Sequence, residues 1–399
     1  MRIGLVALHT SPLDAPGQGD SGGLNVVVRA LADELARAGH GVEVLTRATS
    51  DHDLGRVDTL DSGARVRFLE AGPAEPLAKE ELPRVTDAFA QALAALPRFD
   101  VLHAHYWLSG RAALAVAHDT RAAHVLSLHT LAAVKNARLA PGDSPEPQQR
   151  IDVERMLSAR SDAVIASTRS ERDAIVAAYG ASPERVEIVE PGVDTRIFRP
   201  AAPALTAGER ISVLVVGRVQ PLKGQDIAVR ALSRLAPGIR PRLYIAGEAS
   251  GAAGQSYREG LDRLVAARGL VDDVTFLGSL PRDELAELMR RCALVLVPSR
   301  SETYGLVTLE AAASGVPVLA SAAPGLVDSV RDGLTGVLVE GHDEHVWARA
   351  IERMLRAPAL RARMARASVD HARARSWEAT AALHVDVYRR AFRNRIVST

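Results

Sequence analysis

The chain has 399 residues, 47% apolar and 24% charged, a composition that excludes disordered, collagen-like and coiled-coil proteins and allows two or three domains. Lys and Arg total 49 against 48 Asp and Glu, so the net charge of +1 gives no general attraction to nucleic acid or to an acidic membrane surface. Cys292 is the single cysteine, which excludes an internal disulfide framework and a multi-cysteine metal site and makes the reducing cytoplasm the expected location.

The first half of the chain alternates short apolar runs with helical periods, a pattern typical of a parallel sheet with crossover helices. The opening strand is predicted at residues 2–8, too short an apolar run for a signal peptide. Leu24, Val27, Val28, Leu31 and Leu35 then share one helix face, and Gly39 is expected to end that helix. Further strands are predicted at residues 42–46, 101–104, 124–128, 163–167 and 186–189.

A proline-rich stretch without periodic signal, from Pro191 to Gly208, separates this half from a second series of strands and helices. Strands are predicted there at residues 211–216, 242–246, 274–277, 293–297, 316–320 and 336–339, and helices at 226–235, 283–292, 346–355 and 377–393. Cys292 lies on the apolar face of its helix and is interpreted as a core residue. No run approaches the roughly 20 apolar residues that span a bilayer, so no stable membrane insertion is expected.

These patterns predict an α/β protein with two facing Rossmann-like domains and a cleft between them, where open α/β sheets bind their ligands. The N-terminal domain is expected at residues 1–195 and the C-terminal domain at 209–375. A last helix within 376–399 is expected to pack back on the N-terminal domain.

A glycine-rich loop at residues 17–25 lies between the first strand and its helix. Backbone N–H groups of such a loop, with the helix N-terminus behind them, can bind an anion. An ordinary connection is an equally good interpretation of this loop alone. The loop lacks the dinucleotide-binding spacing of glycines, which disfavours a nucleotide-dependent dehydrogenase.

Two pairs of charged residues follow strands of the second half. Arg218 and Lys223 are five residues apart, and both could reach a diphosphate at the sheet edge, although two solvated cations would look the same. Glu302 and Glu310 could accept hydrogen bonds from the hydroxyls of one ligand. Their placement after a strand, close to Gly305 and Gly315, makes the glutamate pair the strongest motif in the chain.

Both pairs and the two-domain pattern resemble the retaining glycosyltransferases that use nucleotide-sugars on a GT-B fold. Seven runs of the sequence are further similar to the D-inositol-3-phosphate glycosyltransferases of mycothiol biosynthesis: residues 9–13, 19–25, 46–49, 71–73, 79–83, 103–110 and 129–136. The resemblance implies transfer of N-acetylglucosamine from UDP-N-acetylglucosamine to 1D-myo-inositol 3-phosphate with retention. It also implies a cytoplasmic enzyme, small-molecule substrates and a homodimer.

The resemblance assigns roles to individual residues. Catalytic roles fall to His129, Arg218, Lys223 and Glu302. The acceptor would contact His9, Asp20, Ser21, Gly22, Gly23, Leu24, Asn25, Lys79, Tyr106, Thr130 and Arg150. The donor would contact Ala15, Pro16, Gly23, Leu280 and Glu310 besides Arg218, Lys223 and Glu302. Taken singly, His129 could be a core histidine, and Lys79 and Arg150 could be surface charges.

Some positions depart from the family pattern. Leu280 stands where the family often has an arginine, and Thr303-Tyr304-Gly305 replaces the usual Ser-Phe-Gly. No cofactor is expected for the chemistry, and no carboxylate matches a covalent nucleophile. The family's structural Mg²⁺ would bind main-chain oxygens of Met289, Arg290, Cys292 and Val316. Two alternatives stay open: a related glycosyltransferase with another donor or acceptor, such as a sucrose-phosphate or natural-product enzyme, and a nucleotide-sugar sensor without turnover.

Overall fold

The computed structural model describes residues 1–14, 21–139, 144–200, 210–251 and 253–397. Two sheets form, one in each half of the chain, and helices cover both faces of each. The predicted α/β class with two Rossmann-like units is confirmed. The predicted connection around residues 201–208 lies outside the described residues.

The N-terminal sheet has eight strands in the order β3-β4-β2-β1-β5-β6-β7-β8. All pairs are parallel except β3 with β4. The strands are β1 Arg2–Val6, β2 Gly41–Arg47, β3 Val57–Thr59, β4 Arg65–Leu69, β5 Val101–His105, β6 Ala123–Ser127, β7 Ala163–Ala166 and β8 Val186–Ile188.

Six α-helices belong to the described part of this half: α1 Gly23–Arg37, α2 Thr86–Ala94, α3 Trp107–Thr120, α4 Ala132–Asn136, α5 Gln148–Arg160 and α6 Arg169–Tyr179. Helix α1 buries Val28, Leu31 and Leu35 against the sheet, as the spacing predicts. The side chain of Thr168 caps α6 by accepting the amide of Glu171, which satisfies one free donor of the first turn.

The C-terminal sheet has six parallel strands in the order β11-β10-β9-β12-β13-β14. The strands are β9 Ser212–Val216, β10 Arg242–Ala246, β11 Val274–Gly278, β12 Leu294–Val297, β13 Val318–Ser321 and β14 Gly336–Val339. The helices are α7 Gln225–Ser233, α8 Gly254–Ala267, α9 Arg282–Arg290, α10 Leu306–Ala313, α11 Leu326–Ser329, α12 Glu344–Leu355, α13 Pro358–Arg373 and α14 Trp377–Val397. Short 3-10 turns, including Pro221–Lys223, join some of them.

Both sheets reverse their strand order at an inner pair, β1 with β5 and β9 with β12. Loops that leave adjacent strands in opposite directions open a crevice at such a point, outside the carboxyl ends of the strands. The loops after β1, β9 and β12 carry the predicted glycine-rich loop, the cation pair and Glu302.

Helix α14 returns to the N-terminal half after the C-terminal sheet is complete. Its Val385 and Tyr388 are buried in the same core cluster as Val28 and Leu31 of α1. The chain crosses between the halves a second time here, and Val193 of the first crossing forms a parallel bridge with Ser376 of the second. No helix of the described ranges is long and apolar enough to cross a membrane.

Strand bounds differ from the sequence predictions by one or two residues, apart from two exact matches. The first strand ends at Val6 instead of residue 8, and the Leu8 amide donates to the Ser109 hydroxyl at 3.0 Å instead of to a neighbouring strand. Strands β3 and β4 were missed, since Arg65 and Arg67 interrupt the apolar run near the sheet edge.

Candidate active site

A cleft of about 340 Å³ lies between the carboxyl edges of the two sheets. Predicted site residues from both halves line it: His9, Gly22, Gly23, Leu24, Lys79, Tyr106, His129, Thr130, Arg218, Lys223, Leu280, Glu302 and Glu310. Ser21, Asn25 and Arg150 lie outside the cleft lining. Ala15, Pro16 and Asp20 lie outside the described residues.

Asn25 supports the glycine-rich loop from within the protein. Its side-chain amide donates to Thr10 Oγ1 at 2.7 Å and to the Ser11 carbonyl at 2.6 Å, while its Oδ1 accepts the Gly22 amide at 3.1 Å. These bonds occupy a buried side chain with internal partners. The structure therefore gives Asn25 a positioning role where the sequence predicts substrate contact.

Gly22 brings this loop against the opposite wall of the cleft. A Cβ atom on Gly22 would lie 3.8 Å from the Nε of Arg218. Residues that are nearly two hundred positions apart thus face each other across the cleft, as the prediction of one shared site requires.

Tyr106 forms the centre of a basic cluster in the N-terminal half. The Lys79 Nζ lies 5.5 Å and the Arg150 Cζ 4.8 Å from the Tyr106 ring centroid, within cation–π range. The centroid of the His9 ring lies 4.5 Å from the centroid of the Tyr106 ring. The Tyr106 hydroxyl is buried without a hydrogen-bond partner among the described residues, so it can donate to a ligand.

Arg150 is held in place by a buried network. Its Nε donates to Glu154 at 2.6 Å, and its Nη2 donates to the Thr130 carbonyl at 3.0 Å and to Thr130 Oγ1 at 2.8 Å. Glu154 also accepts the amide of Ala132 and the hydroxyl of Tyr179. Glu154 is not among the predicted site residues, although its spacing of four residues from Arg150 in a helix was a usable signal.

His129 links the two halves at the end of β6. Its φ is 61°, an uncommon value for a residue with a side chain, and its carbonyl accepts the Thr303 hydroxyl at 2.5 Å. The Nε2 atom lies 2.8 Å from His105 Nδ1. Burial, with a smaller contribution from His384, lowers the pKa of His129 to about 4. The imidazole is therefore neutral near pH 7 and can act through hydrogen bonds, not as a cation.

Lys223 and Glu302 meet on the C-terminal wall. The Lys223 ammonium is 2.5 Å from Glu302 Oε1, which also accepts the Ser299 hydroxyl at 3.0 Å. Gly224 permits this approach, because it has φ +68° and a Cβ there would lie 2.2 Å from the Pro298 carbonyl oxygen. The cation-bearing loop after β9 thus packs directly against the loop after β12.

Glu310 is paired with an arginine that is not among the predicted site residues. Arg282 Nη1 lies 3.0 Å from Glu310 Oε1, and the Glu310 side chain is 8% exposed. Both residues line the cleft. Leu280 stands where the family often has an arginine, but Arg282, two positions later, also lines the cleft and brings a guanidinium to this part of the wall.

We expect Arg282→Leu to raise the KM for the nucleotide-sugar about tenfold while the acceptor KM stays unchanged. Without its partner, Glu310 is a nearly buried carboxylate that no longer has a charge-assisted bond holding it for the ligand hydroxyls. Arg291→Leu is the matched control, since Arg291 is exposed at the end of the same helix. Initial rates with each substrate varied in turn would measure the effect, and an equal rise in both KM values would contradict it.

The residues predicted to bind Mg²⁺ through main-chain oxygens lie at the end of helix α9 and just before strand β13, and that site stays a prediction. Met289 and Cys292 are buried in the core of the C-terminal half, and burial raises the pKa of the Cys292 thiol to about 12. The Met289 carbonyl accepts the Cys292 amide at 3.1 Å, and none of the four residues has an oxygen-bearing side chain, so only main-chain oxygens could contact the ion. Among the described residues, no group of three or more His, Cys, Asp and Glu side chains could hold a metal.

Comparison with known proteins gives consistent results over the whole chain. A family model described as "Family 4 Glycosyltransferase in conflict systems" matches residues 16–383. The D-inositol 3-phosphate glycosyltransferase of Stackebrandtia nassauensis is 43% identical, with 100% of this chain and 93% of that protein covered. The protein of the same name from Acidothermus cellulolyticus is 44% identical, with 99% and 91% covered.

Solved structures show the same fold. The sucrose-phosphate synthase of Thermosynechococcus elongatus has a TM-score of 0.91 and 29% identity over 98% of this chain and 99% of that one. Anabaena Alr3699/HepE in complex with UDP and glucose has a TM-score of 0.77 at 21% identity, over 97% and 98% of the two chains, and this likeness concerns the fold alone. The chain therefore belongs to the family 4 glycosyltransferases and, within them, to the family of the D-inositol 3-phosphate glycosyltransferases.

Proposed function

We propose that this enzyme transfers N-acetylglucosamine from UDP-N-acetylglucosamine to 1D-myo-inositol 3-phosphate, with retention at the anomeric carbon, as the first step of mycothiol biosynthesis. The names of its relatives, at 43% and 44% identity, support the acceptor. The observation that carries the proposal is the distribution of cations. Lys79 and Arg150 gather on the N-terminal side of the cleft, and Arg218 and Lys223 on the C-terminal side.

The N-terminal cluster suits a phosphate monoester. Lys79 and Arg150 supply charge, while the hydroxyls of Tyr106 and Thr130 supply neutral donors, a combination that neutralises and orients a dianion. The phosphate is bound through this cluster, and the inositol ring then extends toward His9 and the glycine-rich loop.

The C-terminal wall suits the nucleotide-sugar. Glu310 accepts bonds from the ribose hydroxyls, Glu302 lies near the transferred sugar, and Arg218 with Lys223 binds the diphosphate. Among the described residues, Glu302 and Glu310 are the carboxylates that line the cleft, and each has a basic partner. Neither glutamate matches the position of a covalent nucleophile, so the two-carboxylate scheme of retaining hydrolases is not proposed.

The reaction we propose is therefore a front-face substitution. An acceptor hydroxyl oxygen forms a bond to the anomeric carbon on the side where the bond to the UDP oxygen breaks. The hydroxyl proton passes to the leaving diphosphate, and Arg218 and Lys223 stabilise the charge that develops there. His129, neutral at this pH, bonds to the transferred sugar.

A panel of substrates tests the proposal. Purified enzyme is incubated with UDP-N-acetylglucosamine or UDP-glucose and with 1D-myo-inositol 3-phosphate or myo-inositol, and released UDP is measured. We expect turnover with the first member of each pair. Turnover with myo-inositol but not with its phosphate would refute the acceptor, and binding of UDP-N-acetylglucosamine without turnover on either acceptor would favour a sensor.

The likeness to a sucrose-phosphate synthase favours one second candidate, a related enzyme with another donor or acceptor. Preference for UDP-glucose in the same panel would support it. A homodimer and a cytoplasmic location remain predictions from the resemblance.

We expect Lys79→Ala to raise the KM for the phosphorylated acceptor roughly 10- to 100-fold, the range for losing a hydrogen bond to a charged group. The kcat and the donor KM should change little, because Lys79 contacts the acceptor phosphate only. Arg84→Ala removes an exposed cation nearby and serves as the control. An unchanged acceptor KM in Lys79→Ala would remove this residue from the site.

A further inference from the structure

A second glutamate, Glu146, contacts the basic cluster around Tyr106 and has no part in the proposed chemistry. Its Oε2 lies 2.9 Å from Arg150 Nη1 and its Oε1 lies 2.7 Å from Lys135 Nζ. Both carboxylate oxygens are therefore used to bridge two cations. The Glu146 side chain is 12% exposed, against 2% for Arg150.

The main chain of Glu146 is fixed by one asparagine. Asn136 Nδ2 donates to the Glu146 carbonyl at 3.0 Å, and the Glu146 amide donates to Asn136 Oδ1 at 2.7 Å. This paired bond anchors the backbone beside the cluster but leaves the side chain to its ionic partners. Rotation about the Glu146 side-chain bonds can therefore release the cations without moving the backbone.

Charge holds the carboxylate in its present position. Burial alone would raise the pKa of Glu146, but Arg150, Lys135 and Lys79 together lower it to about 2. Glu146 is thus ionised at neutral pH, and it experiences the same field that a phosphate would experience in this cluster.

Arg150 has one nitrogen that could donate a hydrogen bond to a ligand. Its Nε is bonded to Glu154, and its Nη2 is bonded twice to Thr130, so these donors point into the protein. The remaining nitrogen, Nη1, faces Glu146. Because Arg150 is 2% exposed, a phosphate can reach it only if a neighbouring group withdraws, and Glu146 is the neighbour on the Nη1 side.

The charges of the cluster are compatible with replacement of the Glu146 carboxylate by a phosphate. Lys79, Lys135 and Arg150 supply three positive charges, and Glu146 and Glu154 supply two negative ones, which leaves +1. Withdrawal of Glu146 leaves +2. A phosphate monoester carries about −1.5 to −2 near pH 7, so it matches the cluster without Glu146 better than the cluster with it.

We propose that Glu146 is a specificity-determining carboxylate that occupies the acceptor-phosphate site and is displaced by a phosphate dianion but not by a neutral polyol. An unphosphorylated acceptor has no negative charge that could replace the Glu146 carboxylate in its ion pairs with Arg150 and Lys135. Glu146 therefore stays in the site when such an acceptor is present. The inference rests on the proposed function, since it takes Lys79, Tyr106, Thr130 and Arg150 as the phosphate site.

The test measures binding of inorganic phosphate by calorimetry at pH 7.5 and low salt, without any nucleotide-sugar. We expect Glu146→Gln to bind phosphate at least about fivefold more tightly than the unmodified enzyme, since removing one like charge at about 4 Å has that effect in bulk water and a larger one in a buried cluster. Asp152→Asn is the matched control, because it removes the same charge from exposed Asp152 on the adjacent helix α5 and should leave the affinity unchanged. Glu146→Asp keeps the charge and should stay close to the unmodified enzyme.

Three other outcomes would overturn the inference. Weaker phosphate binding by Glu146→Gln would make Glu146 a support for Arg150. If Asp152→Asn binds phosphate as tightly as Glu146→Gln does, the net charge of the protein explains the effect. If Glu146→Asp binds it as tightly, the length of the side chain at this position explains the effect, and its charge does not. If the unmodified enzyme binds no phosphate and Lys79→Ala has a normal acceptor KM, the proposed phosphate site fails instead. Thermal unfolding of each variant checks that it is folded.

Discussion

Arg218→Ala should lower kcat by roughly 10²-fold or more while the KM for the acceptor changes little. In the proposed mechanism the negative charge grows on the diphosphate as its bond to the sugar breaks. A guanidinium at the cleft wall stabilises that charge more in the transition state than in the ground state, and removal of such a fixed donor costs about 2.7–4 kcal/mol in other enzymes.

The measurement is kcat from UDP release at saturating concentrations of both substrates. Arg230→Ala is a suitable control, because Arg230 is a half-buried cation on helix α7, 3.8 Å from Asp226. A normal kcat in Arg218→Ala would refute the role of Arg218 in leaving-group stabilisation. A raised donor KM with an unchanged kcat would instead assign it to ground-state binding.

Acid should destabilise this protein well before its carboxylates titrate. His103, His105, His124 and His384 are all buried, and burial is the main reason that their pKa values lie below the ordinary value of 6.5, at about 3 for His124 and about 4 for His384. The unfolded chain therefore takes up protons first as the pH falls, and stability is lost from about pH 6.5 downward until the folded pKa values are reached.

The expected loss is large. At pH 5 a histidine with a folded pKa of about 3 or 4, such as His124 or His384, lowers the free energy of unfolding by roughly 2 kcal/mol, a large share of the 5–15 kcal/mol of a typical domain. We expect the Tm to fall by more than about 10 °C between pH 7.5 and pH 5. Calorimetric unfolding at several pH values would measure this.

Single variants identify the groups responsible. His124→Asn should reduce the slope of unfolding free energy against pH by up to one proton in this range. His118→Gln is the control, since the His118 side chain is 82% exposed. A flat profile from pH 7.5 to pH 5 in the unmodified protein would show that the buried histidines do not govern its acid stability.

The strands near the middle of each sheet could be predicted because they are short runs of apolar residues buried on both faces. Strand β4 could not, because Arg65 and Arg67 alternate with its buried residues and pair with Glu43 of the neighbouring strand β2. A pairing between strands is a tertiary contact, and the periodicity of one segment does not contain it.

The residues that line the cleft could also be predicted only in part. Charged groups that follow strands, such as Arg218 and Glu302, were found because parallel strands deliver their carboxyl ends to one edge. Partners that act from within helices were missed. Arg282 looks like an ordinary first-turn residue of α9, and its role depends on the distance to Glu310, which belongs to another helix.

The second crossing of the chain limits how the cleft can open. Val193 and Ser376 are bridged, and a Cβ on Gly192 would meet the Trp377 backbone at 2.5 Å, so the two crossings run side by side in direct contact. Two adjacent connections resist twisting and sliding that a single linker would allow. The two halves are therefore joined by two connections in contact, and we expect the cleft to open by rotation about an axis near residues 192–193 and 376–377.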